Sequence, residues 1–181
     1  LVLYIIVRNN KEKAALIRSA QTDALTGVYN KENTQNMIDE ILRKKDPDSF
    51  HGFLILDMDH FKEVNDVYGH AMGDKVLEML GNFLKKQFRE QDVIGRIGGD
   101  EFVILLYNIG SRQNMENRVK SLQEKIREIH MDGMEGHTFT LSAGIAFAPQ
   151  DGDTFMELYQ KADLALYQVK RSGRNGYRIY K

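Results

Sequence analysis

Two acidic pairs in this chain stand where a carboxylate could leave a sheet and meet a ligand. Asp57 and Asp59 follow the apolar run Phe53-Leu54-Ile55-Leu56, and Asp100 and Glu101 close the segment Gly98-Gly99-Asp100-Glu101 between two further apolar runs. If that second segment is a hairpin lying beside the Phe53 strand, three or four carboxylates converge at one sheet edge. They would repel one another unless a divalent cation lay among them. Hard oxygen ligands without a His or Cys partner favour magnesium. Magnesium held by one or two carboxylates and completed by phosphate oxygens is the usual arrangement of a nucleotide-handling site. The same residues also fit a solvated acidic turn and a helix-capping aspartate, because Asp and Gly are frequent in turns of every kind.

A second polar segment, Lys170-Arg171-Ser172-Gly173-Arg174-Asn175-Gly176, ends the last helical pattern. Cations there complement the helix dipole. They also suit a phosphate clamp, with Lys170 and Arg174 one turn apart on one face. His60 and His70 have no second ligand at metal spacing and are read as structural or surface residues. Cysteine is absent, which excludes disulfides, thiolate metal sites and cysteine nucleophiles. The net charge is -1, from 25 basic and 26 acidic residues, so there is no basic footprint for polymeric nucleic acid.

These groups need elements to hold them. At 181 residues, with 42% hydrophobic and 28% charged content, the chain suits one globular domain with a short appendage. A helix is predicted over residues 8–22, with a thin stripe of Ala14, Ile17 and Ala20. Another carries Met37, Ile38, Ile41 and Leu42 and breaks at Asp46-Pro47-Asp48-Ser49. Phe53–Leu56 reads as a buried strand. Val76, Leu77, Leu80, Phe83, Leu84 and Phe88 mark an amphipathic helix. Val93–Ile97 and Phe102–Tyr107 form the hairpin, whose two glycines permit positive backbone angles. Met115, Val119, Leu122, Ile126 and Ile129 give a further helix, and Phe139 to Phe147 an alternating strand. The helix bearing Phe155, Leu158, Ala162, Ala165, Leu166 and Val169 follows, and Tyr177–Tyr180 closes the sheet. The expected class is α+β: a mixed, largely antiparallel central sheet flanked by helices, with those helices on one side.

The chain opens on Leu1-Val2-Leu3-Tyr4-Ile5-Ile6-Val7, followed by Arg8, Lys11 and Lys13. A bilayer needs about 20 apolar residues in a helix, so these seven alone cannot cross it. They fit either the last turns of a transmembrane helix, with the basic residues marking its cytoplasmic side, or an apolar helix end that packs on the domain or on a second chain. The first residue is Leu1 and not methionine, which suggests a piece of a longer protein; a cytoplasmic domain of an inner-membrane protein is the corresponding expectation.

Taken together, the motifs resemble one family. Arg96-Ile97-Gly98-Gly99-Asp100-Glu101-Phe102 matches the R-x-G-G-D-E-F signature of the GGDEF family. Asp23-Ala24-Leu25-Thr26-Gly27-Val28-Tyr29-Asn30 is similar to its D-x-L-T-G-L-x-N opening, and Asp57 through Asp74 to its D-x-D-x-F-K-x-x-N-D-x-x-G-H-x-x-G-D block. Leu141-Ser142-Ala143-Gly144-Ile145-Ala146 and the stretch from Ala162 to Asn175 are similar to its S-x-G-I-A and A-D-x-A-L-Y-x-A-K-x-x-G-R-N segments.

The resemblance implies a palm-like nucleotidyl cyclase fold over residues 23–181, after a connecting helix over residues 1–22. It further implies a diguanylate cyclase that joins two GTP molecules into cyclic di-GMP with magnesium, manganese being an acceptable substitute. The implied metal ligands are Asp57, the carbonyl of Met58, Asp100 and Glu101, with Glu101, Asp100 and Lys62 in the chemistry. Asn65 and Asp74 correspond to the guanine-reading pair, an Asp carboxylate being suited to the two adjacent donors of guanine. Phe61 and Lys62 correspond to positions near the triphosphate, Lys170 and Arg174 to phosphate contacts, and Gly98 and Gly99 to close approach of backbone and nucleotide. Arg89 and Asp92 correspond to an R-x-x-D site at which cyclic di-GMP inhibits; their plain alternative is a surface ion pair. A homodimer in the active state is implied, because the product holds two GMP units and each domain offers one guanine site. The rival reading is a catalytically silent receptor for GTP or cyclic di-GMP, which the intact carboxylates oppose. His60, Asn30-Lys31-Glu32 and Ala143 depart from the family pattern without touching a carboxylate.

Overall fold

In a computed structural model, which describes residues 20–44 and 48–181, the apolar run around Phe53 is the central strand of the molecule. β1 (His51–Met58) is flanked by β3 (Glu101–Leu106) and β4 (Leu141–Ala148), antiparallel to both. β2 (Val93–Gly98) extends the sheet antiparallel to β3, and β5 (Tyr177–Ile179) pairs parallel to β4, giving the order β2-β3-β1-β4-β5. This is the expected mixed, largely antiparallel sheet.

Every residue of β1 and β4 is buried. Strands covered on both faces need not alternate between apolar and polar residues. Leu54, Leu56 and Met58 face one layer, which contains α3 (His70–Gln87) and α4 (Arg112–Arg127). Phe53 and Ile55 face the other, which contains α1 (Lys31–Arg43) and α5 (Phe155–Arg171). The expectation of helices on one side is therefore corrected to helices on both. The cause lies in β1 itself: its odd and even positions are both large and apolar, and burying each such side chain contributes about 1.5–3 kcal/mol.

Side chains of Asn30, Ser111 and Thr154 cap α1, α4 and α5 by accepting from backbone N–H groups three residues on. The sequence reading lacks one element, α2 (Phe61–Tyr68). It buries only Val64 and starts from His60, whose φ of 60° is left-handed and whose side chain makes no cap. With no apolar stripe it has no helical period to detect; α3 begins directly after it, across Gly69. The segment 1–19, including the apolar opening and most of the predicted first helix, lies outside the described residues, as do 45–47. Among the described residues no helix is long and apolar enough to cross a membrane.

Candidate active site

The sheet register decides where the acidic residues lie. Asp57, next to last in β1, pairs directly with Glu101, the first residue of β3. Asp100 occupies the preceding turn with Gly99, whose φ of +53° suits glycine. Met58 ends β1 beside Asp57. The predicted metal-binding residues thus gather at one end of two adjacent strands. Of the three or four carboxylates expected at this edge, three lie here, Asp57, Asp100 and Glu101. Asp59 is buried and committed elsewhere, its oxygens accepting from Ser142 Oγ at 2.6 Å, Thr140 Oγ1 at 2.8 Å and Asn175 N at 2.9 Å. Among the described residues, no three His, Cys, Asp or Glu side chains gather closely enough to enclose an ion by themselves.

Cationic groups approach from α5. Lys170 Nζ lies 2.7 Å from Asp57 Oδ2. Arg174 is not one helical turn beyond it: α5 ends at Arg171, and Arg174 follows Gly173 with a φ of 63°. Its loop is tethered by the Asn175–Asp59 hydrogen bond and by Arg127 NH2, which donates to Asn175 Oδ1 at 2.7 Å. Arg174 is exposed. Arg96 and Asp23 belong to separate motifs in the sequence, and the structure joins them. Arg96 Nε donates to the Gly99 carbonyl at 2.8 Å, while its NH1 reaches Asp23 Oδ1 at 3.1 Å. A side chain on β2 thereby ties the residue 23–26 turn to the carboxylate-bearing turn.

The proposed base readers come together through close packing of α2 on α3. A Cβ added to Gly73 would lie 2.0 Å from Asn65 Oδ1, so only glycine lets Asn65 lie against α3 immediately before Asp74. Asp74 is exposed and Asn65 half-buried. Phe61, the first residue of α2, packs partly into the core, and Lys62 beside it is exposed.

Arg89 and Asp92 sit apart, in the turn between α3 and β2. Asp92 Oδ2 accepts from the Arg89 backbone N–H at 2.9 Å and Oδ1 from the Tyr107 N–H at 3.0 Å. The pair is joined through its backbone turn, with Asp92 fixing the loop and Arg89 exposed. Arg89 borders a cleft of about 780 Å³ whose lining includes Tyr29, Lys85 and Phe88.

Comparison with known proteins gives the family. The family described as "Diguanylate cyclase, GGDEF domain" matches residues 20–176. The chain belongs to the GGDEF domain family. It is similar to the diguanylate cyclase TpbB of Pseudomonas aeruginosa, at 36% identity over an alignment of 177 residues, with 95% of this chain and 40% of that protein covered. It is also similar to a solved structure comprising only the GGDEF domain of TpbB, with a TM-score of 0.83, 31% identity and coverage of 88% of this chain and 94% of that one. The coiled coil and GGDEF domain of DgcB from Caulobacter crescentus, crystallised with c-di-GMP, share the fold at a TM-score of 0.85 and 23% identity, over 99% of this chain and 94% of that one. The chain therefore spans well under half the length of TpbB.

The GGDEF domain holds its carboxylates under electrostatic tension. Burial pushes the Asp57 carboxyl up from 3.8 to about 6; Lys170 opposes this, while Asp100 and Asp59 add to it. Burial is likewise the main cause that raises Asp100 and Glu101. The donor set fits a magnesium ion: two facing carboxylates and a third in the turn offer hard oxygen, short charge compensation and no closed cage, which leaves positions for phosphate oxygens. Because the folded pKa of Asp57 exceeds its unfolded value, the folded state keeps a proton that the unfolded state releases between about pH 4 and 6. The contribution to stability is thus present at low pH and lost as pH rises through about 6. Asp57→Asn in chelator should accordingly be more stable than the parent at neutral pH, by about 1–2 kcal/mol because some solvent access tempers the effect. The difference should close toward pH 4. Denaturant melts across that range provide the check, and a gap independent of pH would contradict it.

Proposed function

We propose that this domain is a diguanylate cyclase, condensing two GTP into cyclic di-GMP and two pyrophosphates with magnesium. The observation that carries the reading is the pairing of Asp57 with Glu101 at one end of the sheet, under the Lys170 ammonium. Names of relatives such as TpbB support it. In each of two equivalent steps the 3′-oxygen of one GTP forms a bond to the α-phosphorus of the other. The bond from that phosphorus to the pyrophosphate oxygen breaks, and the 3′-hydroxyl proton is released. Asp57, Met58, Asp100 and Glu101 would hold the magnesium, which when bound offsets phosphate charge.

Glu101 is positioned to accept the hydroxyl proton, and Lys62, Lys170 and Arg174 supply cations for the triphosphate. On this reading Lys170 is a resident counter-charge, neutralising Asp57 until the phosphates arrive. Phe61, with Gly98 and Gly99, borders the phosphates. Gly99 is suited to its positive φ, whereas an added Cβ at Gly98 would meet nothing within 4 Å; no neighbour in the fold demands glycine there, and a nucleotide lying against the turn accounts for it. Asn65 and Asp74 read guanine. Two copies must face each other, because the ring contains two GMP units and each copy offers one base-reading pair. Chromatography of the products formed from GTP and magnesium tests the proposal. GTP binding without cyclic di-GMP would identify a receptor instead.

The same reading assigns Arg89 and Asp92 to product inhibition. An exposed arginine beside the cleft can stack on guanine and pair with phosphate. Arg89→Ala should raise the cyclic di-GMP concentration for half-inhibition at least roughly tenfold, the loss expected for one charged contact, while leaving the initial rate nearly intact. Initial rates against added product for both proteins are the measurement. Superimposed inhibition curves would remove Arg89 from the site.

A further inference from the structure

One side chain in contact with the carboxylate pair is absent from every role above. Tyr159 lies on α5 and donates its hydroxyl to Glu101 Oε1 at 2.6 Å. Its ring is held from behind. It stacks on Phe155 with centroids 5.7 Å apart and planes 22° from parallel, and Phe155 in turn meets Phe53 of β1 edge-on at 5.6 Å. The phenol is therefore anchored to the central strand that carries Asp57. Its hydroxyl reaches the strand neighbour that carries Glu101.

We propose that Tyr159 is a positioning residue for Glu101, fixing one carboxylate oxygen so that the other is presented to the magnesium and the reacting hydroxyl. Glu101 needs such help. It opens β3 directly after the turn at Gly99 and Asp100, so the chain before it is a turn and not a strand. The Asp163 carboxylate, one helical turn beyond Tyr159, repels it, as does Asp100. A glutamate with two such neighbours and three rotatable bonds would otherwise swing away from them. Tyr159 supplies a neutral donor on a rigid ring with few rotatable bonds, which restrains the carboxylate without cancelling its charge. Lys170 does the corresponding service for Asp57 from the same helix, eleven positions on, which is close to three full turns and hence the same face. One face of α5 thus holds both members of the pair, one through an ammonium and the other through a phenol. Both Tyr159 and Glu101 are only half-buried, so water could satisfy either group. The contact is not required to avoid a buried unpaired atom, and orientation is what it adds.

This inference rests on the assignment of Glu101 to the cyclase site, and the test separates the two. Tyr159→Phe keeps the ring and its stack on Phe155 and removes one oxygen atom. In the whole chain, this variant should lower kcat for cyclic di-GMP formation about three- to tenfold, the consequence of one lost bond of ordinary net strength at a site that water can reach. KM for GTP should stay within about twofold, since Asn65 and Asp74 are untouched. The magnesium concentration for half-maximal rate should rise severalfold, and the circular dichroism spectrum should remain that of the parent.

A second arm needs no turnover: binding of a non-hydrolysable GTP analogue is titrated with magnesium in the parent, in Tyr159→Phe and in Glu101→Ala. The phenylalanine variant should require more magnesium than the parent and less than the alanine variant. If the parent forms no cyclic di-GMP, the cyclase reading fails while this arm still decides the role of Tyr159. Magnesium dependence and kcat equal to those of the parent would overturn the proposal. So would a loss of rate accompanied by loss of the folded spectrum, which would make Tyr159 a purely structural residue.

Discussion

Asp57→Ala and Glu101→Ala are each expected to reduce cyclic di-GMP formation by roughly 10³-fold or more, because each removes a hard ligand that supplies several kcal/mol of charge stabilisation in the transition state. The two losses should have different companions. Removing the Asp57 carboxylate strands the Lys170 ammonium, whose partner at 2.7 Å disappears. Removing Glu101 leaves the Tyr159 hydroxyl without its acceptor but disturbs no ion pair. Asp57→Asn keeps the shape and nearly abolishes turnover, since a neutral amide offsets neither cation. The measurement is steady-state rate after chelation and resupply of magnesium, with circular dichroism confirming the fold. Near-parental turnover in either alanine variant would sink the metal assignment. The carboxylates are not interchangeable with Asp59, so Asp59→Ala should act through stability instead, by releasing Ser142, Thr140 and the Asn175 loop.

The second large effect concerns the choice of base. Asp74→Ala should erode discrimination of GTP from ATP by about 1–3 kcal/mol, the loss typical of removing a bidentate match to a base edge. That corresponds to roughly five- to 150-fold in relative affinity. A carboxylate offers paired acceptors to the adjacent donors of guanine and meets no such pair on adenine. Asn65 remains against Gly73 in the variant, so overall GTP binding should weaken less than selectivity does. Competition of ATP against a labelled GTP analogue reads the ratio directly. An unchanged ratio would mean that guanine is read by other residues.

Much of this was visible in residue order, and the reasons for what was not are physical. The long helices and the central strands declared themselves because their burial is extensive enough to impose a period or an apolar run, as at Val76–Leu84 and Phe53–Leu56. Helix α2 escaped because one buried residue, Val64, imposes no period. The two-sided packing is not legible locally, because a continuous apolar run shows that a strand is buried but not which elements cover each of its faces. For the site, the types of Asp57, Asp100 and Glu101 suggested a cation, but the separate employment of Asp59 depends on Thr140 and Ser142 arriving on β4, which local reading cannot supply. Arg174 lies beyond a helix that stops at Arg171, because Gly173 adopts a positive φ that the expected helical spacing of Lys170 and Arg174 does not allow for. Tyr159 had a faint signal. It adjoins the apolar stripe of α5 on the face that later carries Lys170, where a phenol hydroxyl would face into the domain and need a partner.

The junction at Gly69 divides the labour of this domain mechanically. Asp57 and Glu101 are borne by strands flanked by sheet on both sides, and amide exchange at their centres should require nearly complete opening of the molecule. Asn65 is borne by a helix of eight residues that buries one side chain, so its amides should exchange through small local openings. On the proposed reading, the carboxylates of the phosphate site and Asn65 of the base site therefore rest on supports of unequal stiffness. A substitution in α2 could change which nucleotide is admitted without a matching penalty to the fold, whereas drift in β1 or β3 would endanger both. On the proposed reading, variation in the base contact made by Asn65 is open to such a domain along the soft α2, with the rigid strands and α3 as an unchanging anvil.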